Sequence, residues 1–350
     1  MIILSDQRFY EIYKDFVDLT DIIEFKNSFV VNHHLLGYLY NTFFTDSIKP
    51  ILITAAKNKT LLLDTTQDPV DLEKNIFPIC EALDLKKTVT ILVNDDTEPL
   101  KYSDWNIKWF PRFFIKFRLS KDNQDKNNLL NWDTRQHQMS CYNRSAKAHR
   151  FYNFYRMGVY RWADQVHKSF ANIEKDLPNE IMDHSELIKP LGMLVYNSCK
   201  NIPSHSDDEN YEWSNNCHSF LAPGYNNSFA NLITESSVYN FCPTEKTVKP
   251  LIAGNIIFSI SNPGFMEQIE KMGFDLLYDS LDHSRYDYEP DFQARVNKCL
   301  AFIDEIFYNL HSIWQDNKTR LKYNNTYFWS DKFLQTITHQ VKDIIEIKYY

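Results

Sequence analysis

The chain is poor in glycine: it has 7 in 350 residues, and none forms a G-x-G-x-x-G turn or a phosphate-binding P-loop. This argues against a dinucleotide-binding fingerprint and against a Walker-type ATPase. Six cysteines are scattered singly, with no C-x-x-C pair and no histidine spacing typical of zinc. We therefore expect reduced, mostly buried thiols and no metal site.

Long apolar runs are also missing. No segment approaches the roughly 20 residues that cross a bilayer, and the apolar N-terminal stretch is too short for a secretory signal. The net charge of −8 argues against a surface built throughout for nucleic acid, but it does not exclude a local basic patch. Hydrophobic residues make up 43% of the chain, which allows real cores. We expect a globular protein in the cytoplasm, or in the host cytoplasm if it is viral.

Short β-branched apolar runs alternate with helical stretches between residues 48 and 114, a rhythm typical of a parallel sheet. Strands are expected in IKPILITAA, KTLLLDTT, TVTILVND and IKWFPRFF, and a helix in DPVDLEKNIFPICEALDL. Polar residues 119–135 then separate two domains, predicted as 1–130 and 131–350. The fold class that follows is α/β, with two Rossmann-like domains facing a cleft.

The second domain is expected to repeat this alternation and to end in helices. The predicted elements are a strand at 139–144, a helix at 147–169, a strand at 228–235, a helix at 245–253, a strand at 255–261, a helix at 264–272 and a helical region from 289.

Thr244, Glu245 and Lys246 lie at the predicted start of the helix at 245–253. A helix N-terminus offers unpaired N–H groups to a diphosphate, Lys246 adds a full charge, and Glu245 can accept hydrogen bonds from ribose hydroxyls. The alternative is an ordinary helix start with Thr244 as its N-cap.

A basic turn occupies the segment CYNRSAKAHR, where a strand is expected to give way to a helix. Arg144, Lys147, His149 and Arg150 crowd this turn. Cations are disfavoured at a helix N-terminus unless an anion is bound there, and arginine grips phosphate with two parallel hydrogen bonds. The alternative is a solvated basic turn.

Taken together, the N-R-x-x-x-x-H-R turn, the later E-S pair and the T-E-K-T-x-K-P-x-x-A-G segment resemble the donor domain of GT-B nucleotide-sugar glycosyltransferases. The likeness is to the α-1,3-fucosyltransferase family, and the stretch from GFMEQIEKMGF to the arginine of PDFQAR resembles related viral and bacterial transferases. It covers residues 139 to about 300.

The resemblance implies a nucleotide-diphosphate sugar as donor and no required metal. Arg144 or Arg150 would neutralise the donor phosphates, Lys246 would pair with the diphosphate and Glu245 would hold the ribose. Glu235 would lie near the donor sugar or its nucleotide, and Thr244 and Lys249 belong to the same donor-binding set. Pro243 and the Lys249-Pro250 pair depart from the family pattern, which leaves the donor open.

Transfer to a hydroxyl needs a base, which in such folds usually comes from the first domain. The candidates by position are Asp64, Asp95 with its neighbour Asp96, and His34. An acid at a strand end is also a common helix or turn cap.

The stretch 101–121 holds six basic residues against one acid, with two Trp and four Phe between them. Such a pattern can line a nucleic-acid groove, or it can be an amphipathic strand with its Phe residues in the core.

The resemblance thus predicts a hexosyl- or pentosyltransferase acting on a hydroxyl of a glycan or of a hydroxymethylated base in phage DNA. The alternative is a protein of the same fold without turnover, which only binds a sugar or nucleotide or serves in a viral assembly.

Overall fold

A computed structural model describes residues 60–65, 71–82, 84–95, 98–128, 130–143, 147–170 and 223–342, and the short strands Ile23–Glu24, Ser28–Asn32 and Glu346–Ile347. The chain forms two compact units. The first is Met1–Lys121 together with Asp331–Tyr350, and the second is Asp122–Ser330.

The first unit is built on a parallel sheet of four described strands in the order β2-β3-β4-β5. A separate antiparallel pair joins β1 to β10. The elements are β1 Ile23–Glu24, β2 Ser28–Asn32, β3 Thr60–Asp64, α1 Leu72–Asn75, α2 Phe77–Ala82, β4 Val89–Val93, α3 Glu98–Lys101, β5 Ile107–Trp109, α4 Arg112–Leu119, α14 Asp331–Thr338 and β10 Glu346–Ile347.

The second unit contains another parallel sheet of four described strands, in the order β7-β6-β8-β9. Helix α5, Lys121–Asn127, leads into it. The further elements are β6 His137–Asn143, α6 Ala148–Met157, β7 Val166–Phe170, α7 Pro223–Asn227, β8 Ser228–Thr234, α8 Glu245–Ala253, β9 Ile256–Ile260, α9 Phe265–Lys271, α10 Ser284–Asp287, α11 Phe292–Ile306, α12 Leu310–Asp316 and α13 Lys318–Phe328.

Strands of both sheets are buried along their whole length. Every residue of β4, β8 and β9 is buried, as expected of parallel strands covered by helices on both faces. The predicted α/β fold class, with a parallel sheet in each half and helices at the C-terminal end, is confirmed. The cleft between the domains stays a prediction.

Helix α8 has the bounds that its sequence predicts. Thr244 caps its start, and it ends at Gly254, whose φ of +66° is a left-handed conformation that glycine adopts without strain. A Cβ at Gly254 would lie only 2.4 Å from the ring of Trp132, so glycine is also required by packing.

Two of the expected elements differ in extent from the structure. The helix predicted at 147–169 ends at Met157, because Gly158 follows it, and the β-branched and aromatic end of that segment forms strand β7. IKWFPRFF is a strand only over Ile107–Trp109, since Pro111 is the N-cap residue of helix α4, which begins at Arg112. The strand expected near residues 48–56 lies outside the described residues.

The C-terminal segment belongs to the first unit, whereas the sequence placed it in the second domain. Arg118 of α4 pairs with Asp331 of α14 at 3.4 Å, and the backbone N–H of Trp109 donates to the Gln340 side chain at 2.8 Å. Phe114 and Phe333 pack edge to face with ring centroids 5.7 Å apart. These contacts link parts of the chain more than 200 residues apart, which local sequence patterns do not reveal.

Candidate functional site

The start of helix α8 is held by the Glu235 carboxylate, which follows strand β8 directly. One carboxylate oxygen accepts hydrogen bonds from the Thr244 backbone N–H at 2.9 Å and from the Thr247 hydroxyl. The other accepts from the Thr244 hydroxyl at 2.6 Å and from the Ser236 N–H at 3.3 Å. These four donors occupy the roughly four lone-pair positions at which a carboxylate accepts hydrogen bonds.

Glu235 is completely buried, with 0% of its surface exposed. A buried charge is tolerated only when it is paired or hydrogen-bonded, and here the protein supplies the donors itself. The carboxylate therefore fixes the turn after β8 to the first turn of α8. Its expected place beside a donor sugar stays a prediction.

Glu245 and Lys246 form an ion pair on the first turn of α8. Lys246 Nζ lies 3.0 Å from Glu245 Oε1 and 3.4 Å from the Thr244 hydroxyl, and its side chain is only 10% exposed. Burial acts to raise the pKa of Glu245, but the charges of Lys246 and Lys249 outweigh it and hold this pKa at about 2. Glu245 is thus an ionised acceptor at any physiological pH.

The basic turn predicted from NRSAKAHR meets this helix start. Lys147 Nζ donates to the Ser236 carbonyl at 3.0 Å, and His149 Nε2 lies 2.8 Å from the Glu235 carbonyl. Lys147 is the N-cap residue of α6. The structure therefore brings the two predicted donor-binding segments together at the carboxyl edge of the second sheet, although Arg144 itself lies outside the described residues.

His149 and Arg150 are both buried at this junction. Burial first, and then the positive charge of Arg150, hold the pKa of His149 well below its usual range, and Lys147 and Lys246 act in the same direction. Because the imidazole is neutral at physiological pH, only one of its nitrogens carries hydrogen. Nε2 donates that hydrogen to the Glu235 carbonyl, since a carbonyl can only accept.

The carboxyl edge of the second sheet carries an excess of positive charge. Its described members are four basic side chains and two acidic ones, which leaves a formal charge of +2: Lys147, Arg150, Lys246 and Lys249 against Glu235 and Glu245. We call this set the basic edge. Such a concentration of half-buried and buried cations at two helix starts is suited to binding an anion.

The corresponding edge of the first sheet is acidic. Asp95 follows β4, Asp71 caps α1, and Glu98 begins α3. Burial first, and then the negative charge of Asp95, raise the pKa of Glu98 to about 8. We call Asp71, Asp95 and Glu98 the acidic edge.

Two of the residues that the sequence predicts as a base, Asp64 and Asp95, lie at the carboxyl edge of the first sheet. Asp95 is half-buried on the acidic edge, and Asp64 ends β3 at the same edge of the sheet, in register with Leu92. The side chain of Asp64, Asp96 and His34 lie outside the described residues. Glu98 was not recognised from the sequence; the signal was a third acid, three residues after Asp95.

The basic and aromatic stretch 101–121 is not an open groove. Its six Trp and Phe rings are all at most 8% exposed, and Arg112 and Arg118 are buried as well. Rings packed into a core cannot stack on nucleic-acid bases. The amphipathic-strand alternative is also wrong for most of the stretch, because Arg112–Leu119 is helical.

Within the described ranges, no three His, Cys, Asp or Glu side chains are grouped closely enough to hold a metal ion. The same part of the chain has no helix that is long and apolar enough to cross a membrane.

Comparisons with known proteins give only distant structural neighbours. No protein-family model matches the sequence, and no curated protein does. One similar structure is an alpha,alpha-trehalose-phosphate synthase (UDP-forming) from Burkholderia vietnamiensis, with a TM-score of 0.43, 12% identity and coverage of 90% of this chain and 73% of that one. Another, alpha,alpha-trehalose 6-phosphate synthase from Burkholderia multivorans, has a TM-score of 0.43, 11% identity and coverage of 90% and 72%. Likeness at this level carries no argument about activity.

Proposed function

We propose that the protein is a glycosyltransferase that moves a sugar from a nucleotide-diphosphate donor to a hydroxyl acceptor. The observation that carries the proposal is the convergence of two cationic helix starts at one sheet edge, joined by the contacts of Lys147 and His149 with the turn after β8. The resemblance of residues 139 to about 300 to the fucosyltransferases supports the same reaction class.

The basic edge has the groups that a sugar nucleotide requires. Lys246 and Arg150, with Arg144 as a further candidate, neutralise the diphosphate, and the ionised Glu245 accepts hydrogen bonds from the ribose hydroxyls. Thr244 supports this arrangement through its hydrogen bonds to Glu235. Lys249 supports it because its positive charge lowers the pKa of Glu245 and keeps that carboxylate ionised.

Transfer breaks the bond between the anomeric carbon and the diphosphate while the acceptor oxygen forms a new bond to that carbon. Negative charge grows on the leaving diphosphate, so fixed cations such as Lys246 stabilise the transition state. This role requires no metal.

A base removes the acceptor proton, and we assign it to the acidic edge. Glu98, with a pKa of about 8, is a stronger proton acceptor than an ordinary carboxylate. Asp95 is its neighbour and the alternative base, while Asp64 and His34 stay predictions.

For the acceptor, we favour a glycan or another hydroxyl compound over a hydroxymethylated base in DNA. The buried rings of residues 101–121 remove the feature that favoured DNA. Duplex DNA carrying hydroxymethylcytosine tests the remaining possibility: sugar incorporation, with binding that weakens as salt rises, would establish it.

The experiment first screens UDP-, GDP-, ADP- and dTDP-sugars for hydrolysis and for sugar transfer. The kcat of Lys246→Ala is then measured with the donor that the wild type turns over. Removing one fixed cation should lower kcat by about 10²- to 10³-fold. Lys271→Ala is the matched control, because Lys271 is an exposed lysine on α9 that pairs only with Glu267 among the described residues. Unchanged turnover in a folded Lys246→Ala protein contradicts the proposal, and donor binding without any turnover indicates the alternative, a sugar-nucleotide-binding protein.

A further inference from the structure

Two exposed tyrosines lie at the carboxyl edge of the second sheet. Tyr239, in the turn between β8 and α8, is 75% exposed, and Tyr288, directly after α10, is 47% exposed. The ring of Tyr288 comes within 3.9 Å of the position that a Cβ on Gly264 would take, in the turn after β9. Because β8 and β9 are paired neighbours, the turn that carries Tyr239 is adjacent to the turn beside which the Tyr288 ring lies. We call Tyr239 and Tyr288 the edge tyrosines.

The turn that carries Tyr239 is firmly held. The Ser237 hydroxyl oxygen accepts the backbone N–H groups of Tyr239 at 3.1 Å and Asn240 at 3.0 Å. Val238 of the same turn is buried, and its carbonyl accepts from the buried Arg295 guanidinium at 3.2 Å. An exposed ring on a fixed turn loses little conformational freedom when a ligand covers it.

Tyr288 is fixed in a comparable way, by the residue before it. The Asp287 carboxylate accepts the backbone N–H groups of Met266 at 3.0 Å and Glu267 at 3.2 Å. The Asp287 carbonyl accepts the Gly264 N–H at 2.8 Å. Tyr288 is therefore tied to the turn after β9, whose Gly264 has a φ of +75°.

We propose that the edge tyrosines form an aromatic subsite that stacks on the nucleobase of the donor. This inference rests on the proposed function, because the turn of Tyr239 begins at Glu235 and ends at Thr244, the two residues that set the start of the basic edge. Every nucleobase has a flat π-face, and stacking on an aromatic side chain adds affinity without reading the base sequence. The subsite completes the donor site: cations for the diphosphate, Glu245 for the ribose and rings for the base.

The test is isothermal titration of the full chain with UDP, GDP, ADP and dTDP, and separately with inorganic pyrophosphate. Tyr239→Ala should weaken the best nucleoside diphosphate by about tenfold or more, and Tyr288→Ala by less, in line with its smaller exposure. Affinity for pyrophosphate should stay within about twofold of the wild type, because pyrophosphate has no base to stack. Tyr239→Phe, which keeps the ring, should bind like the wild type.

Tyr308→Ala is the control for loss of an exposed tyrosine. Tyr308 is 62% exposed, and its hydroxyl lies 3.5 Å from the Gln165 side chain. Gln165 directly precedes β7, at the amino end of that strand, whereas the edge tyrosines lie at the carboxyl ends of the strands. If nucleoside diphosphates bind and Tyr239→Ala binds them as the wild type does, the subsite is refuted while the proposed function stands. If Tyr239→Ala weakens pyrophosphate as much as the nucleotide, the effect comes from damage to the turn, and the subsite is also refuted. If the wild type binds no nucleoside diphosphate, the proposed function fails together with the subsite.

Discussion

The basic edge and the acidic edge are built on the same plan but carry opposite charge. Each lies at the carboxyl ends of four parallel strands, and each places a glutamate on the first residue of a helix that follows a strand, Glu245 in the second unit and Glu98 in the first. The pKa of Glu245 is about 2, and the pKa of Glu98 is about 8. The same side chain at equivalent places is therefore a permanent anion in one unit and a proton acceptor in the other.

The neighbours produce this difference. Burial acts to raise the pKa of both groups, but Lys246 and Lys249 reverse its effect on Glu245, whereas Asp95 adds to its effect on Glu98. When two carboxyl groups lie in environments that give them different pKa values, one can stay ionised while the other exchanges a proton, so they can take different roles in catalysis. In our proposal the basic edge binds the donor and the acidic edge activates the acceptor.

The largest expected effect comes from removing the proton acceptor. Glu98→Gln should lower the transfer rate by about 10²- to 10⁴-fold, the usual contribution of a general base. In the wild type, kcat/KM should rise with pH, reach half of its maximum near pH 8, where half of Glu98 is ionised, and level off about one pH unit above. Asp95→Asn removes the negative neighbour, so this rise should move to lower pH. Glu81→Gln, an exposed acid on α2, is the control and should leave the rate and the profile unchanged.

A stability measurement checks Glu98 without relying on activity. Its folded-state pKa is raised, so the folded protein binds more protons than the unfolded chain between about pH 4.5 and 8. The free energy of unfolding should therefore fall as pH rises through this window, and Glu98→Gln should reduce that fall. If Glu98→Gln is as active as the wild type, the base lies elsewhere, and Asp95, Asp64 and His34 are tested next in the same way.

The next effect concerns how the basic edge is held. Glu235→Ala leaves the Thr244 N–H and the hydroxyls of Thr244 and Thr247 buried without their acceptor, and should cost about 3 kcal/mol in the free energy of unfolding. Glu235→Gln keeps the volume and one carbonyl acceptor, so it should cost less. Urea unfolding followed by circular dichroism measures both. Equal, small losses would show that the carboxylate does not fix this turn.

Sequence patterns predicted the second unit better than the first. Helix α8 could be bounded to the residue because its start and end carry local signals, the Thr244 cap and Gly254. The meeting of the NRSAKAHR turn with that helix could be expected as well, because the carboxyl ends of parallel strands share one edge.

The remaining features depend on contacts that are distant in sequence. Nothing near Glu235 signals that its carboxylate accepts donors from Thr244 and Thr247, since E-S-S reads equally well as an exposed turn. The pKa of Glu98 depends on burial, and the E-P-L-K segment carries no pattern that predicts burial of its glutamate. Likewise, α14 joins the first unit through side chains such as Phe333, whose partner Phe114 lies far away in the sequence.

The smallest expected effect tests the other glutamate of the comparison. The folded-state pKa of Glu245 is lowered, so its ion pair stabilises the protein above about pH 4.5, and this contribution is lost as pH falls towards about 2. Glu245→Gln should lower the free energy of unfolding by about 1 kcal/mol at pH 6, because Lys246 loses its partner at 3.0 Å. The difference between the variant and the wild type should shrink as urea midpoints are measured at pH 5, 4 and 3. A difference that stays constant over this range would mean that Glu245 acts by packing and not by charge. The contrast with Glu98, whose substitution should change the free energy of unfolding most at high pH, would then fail.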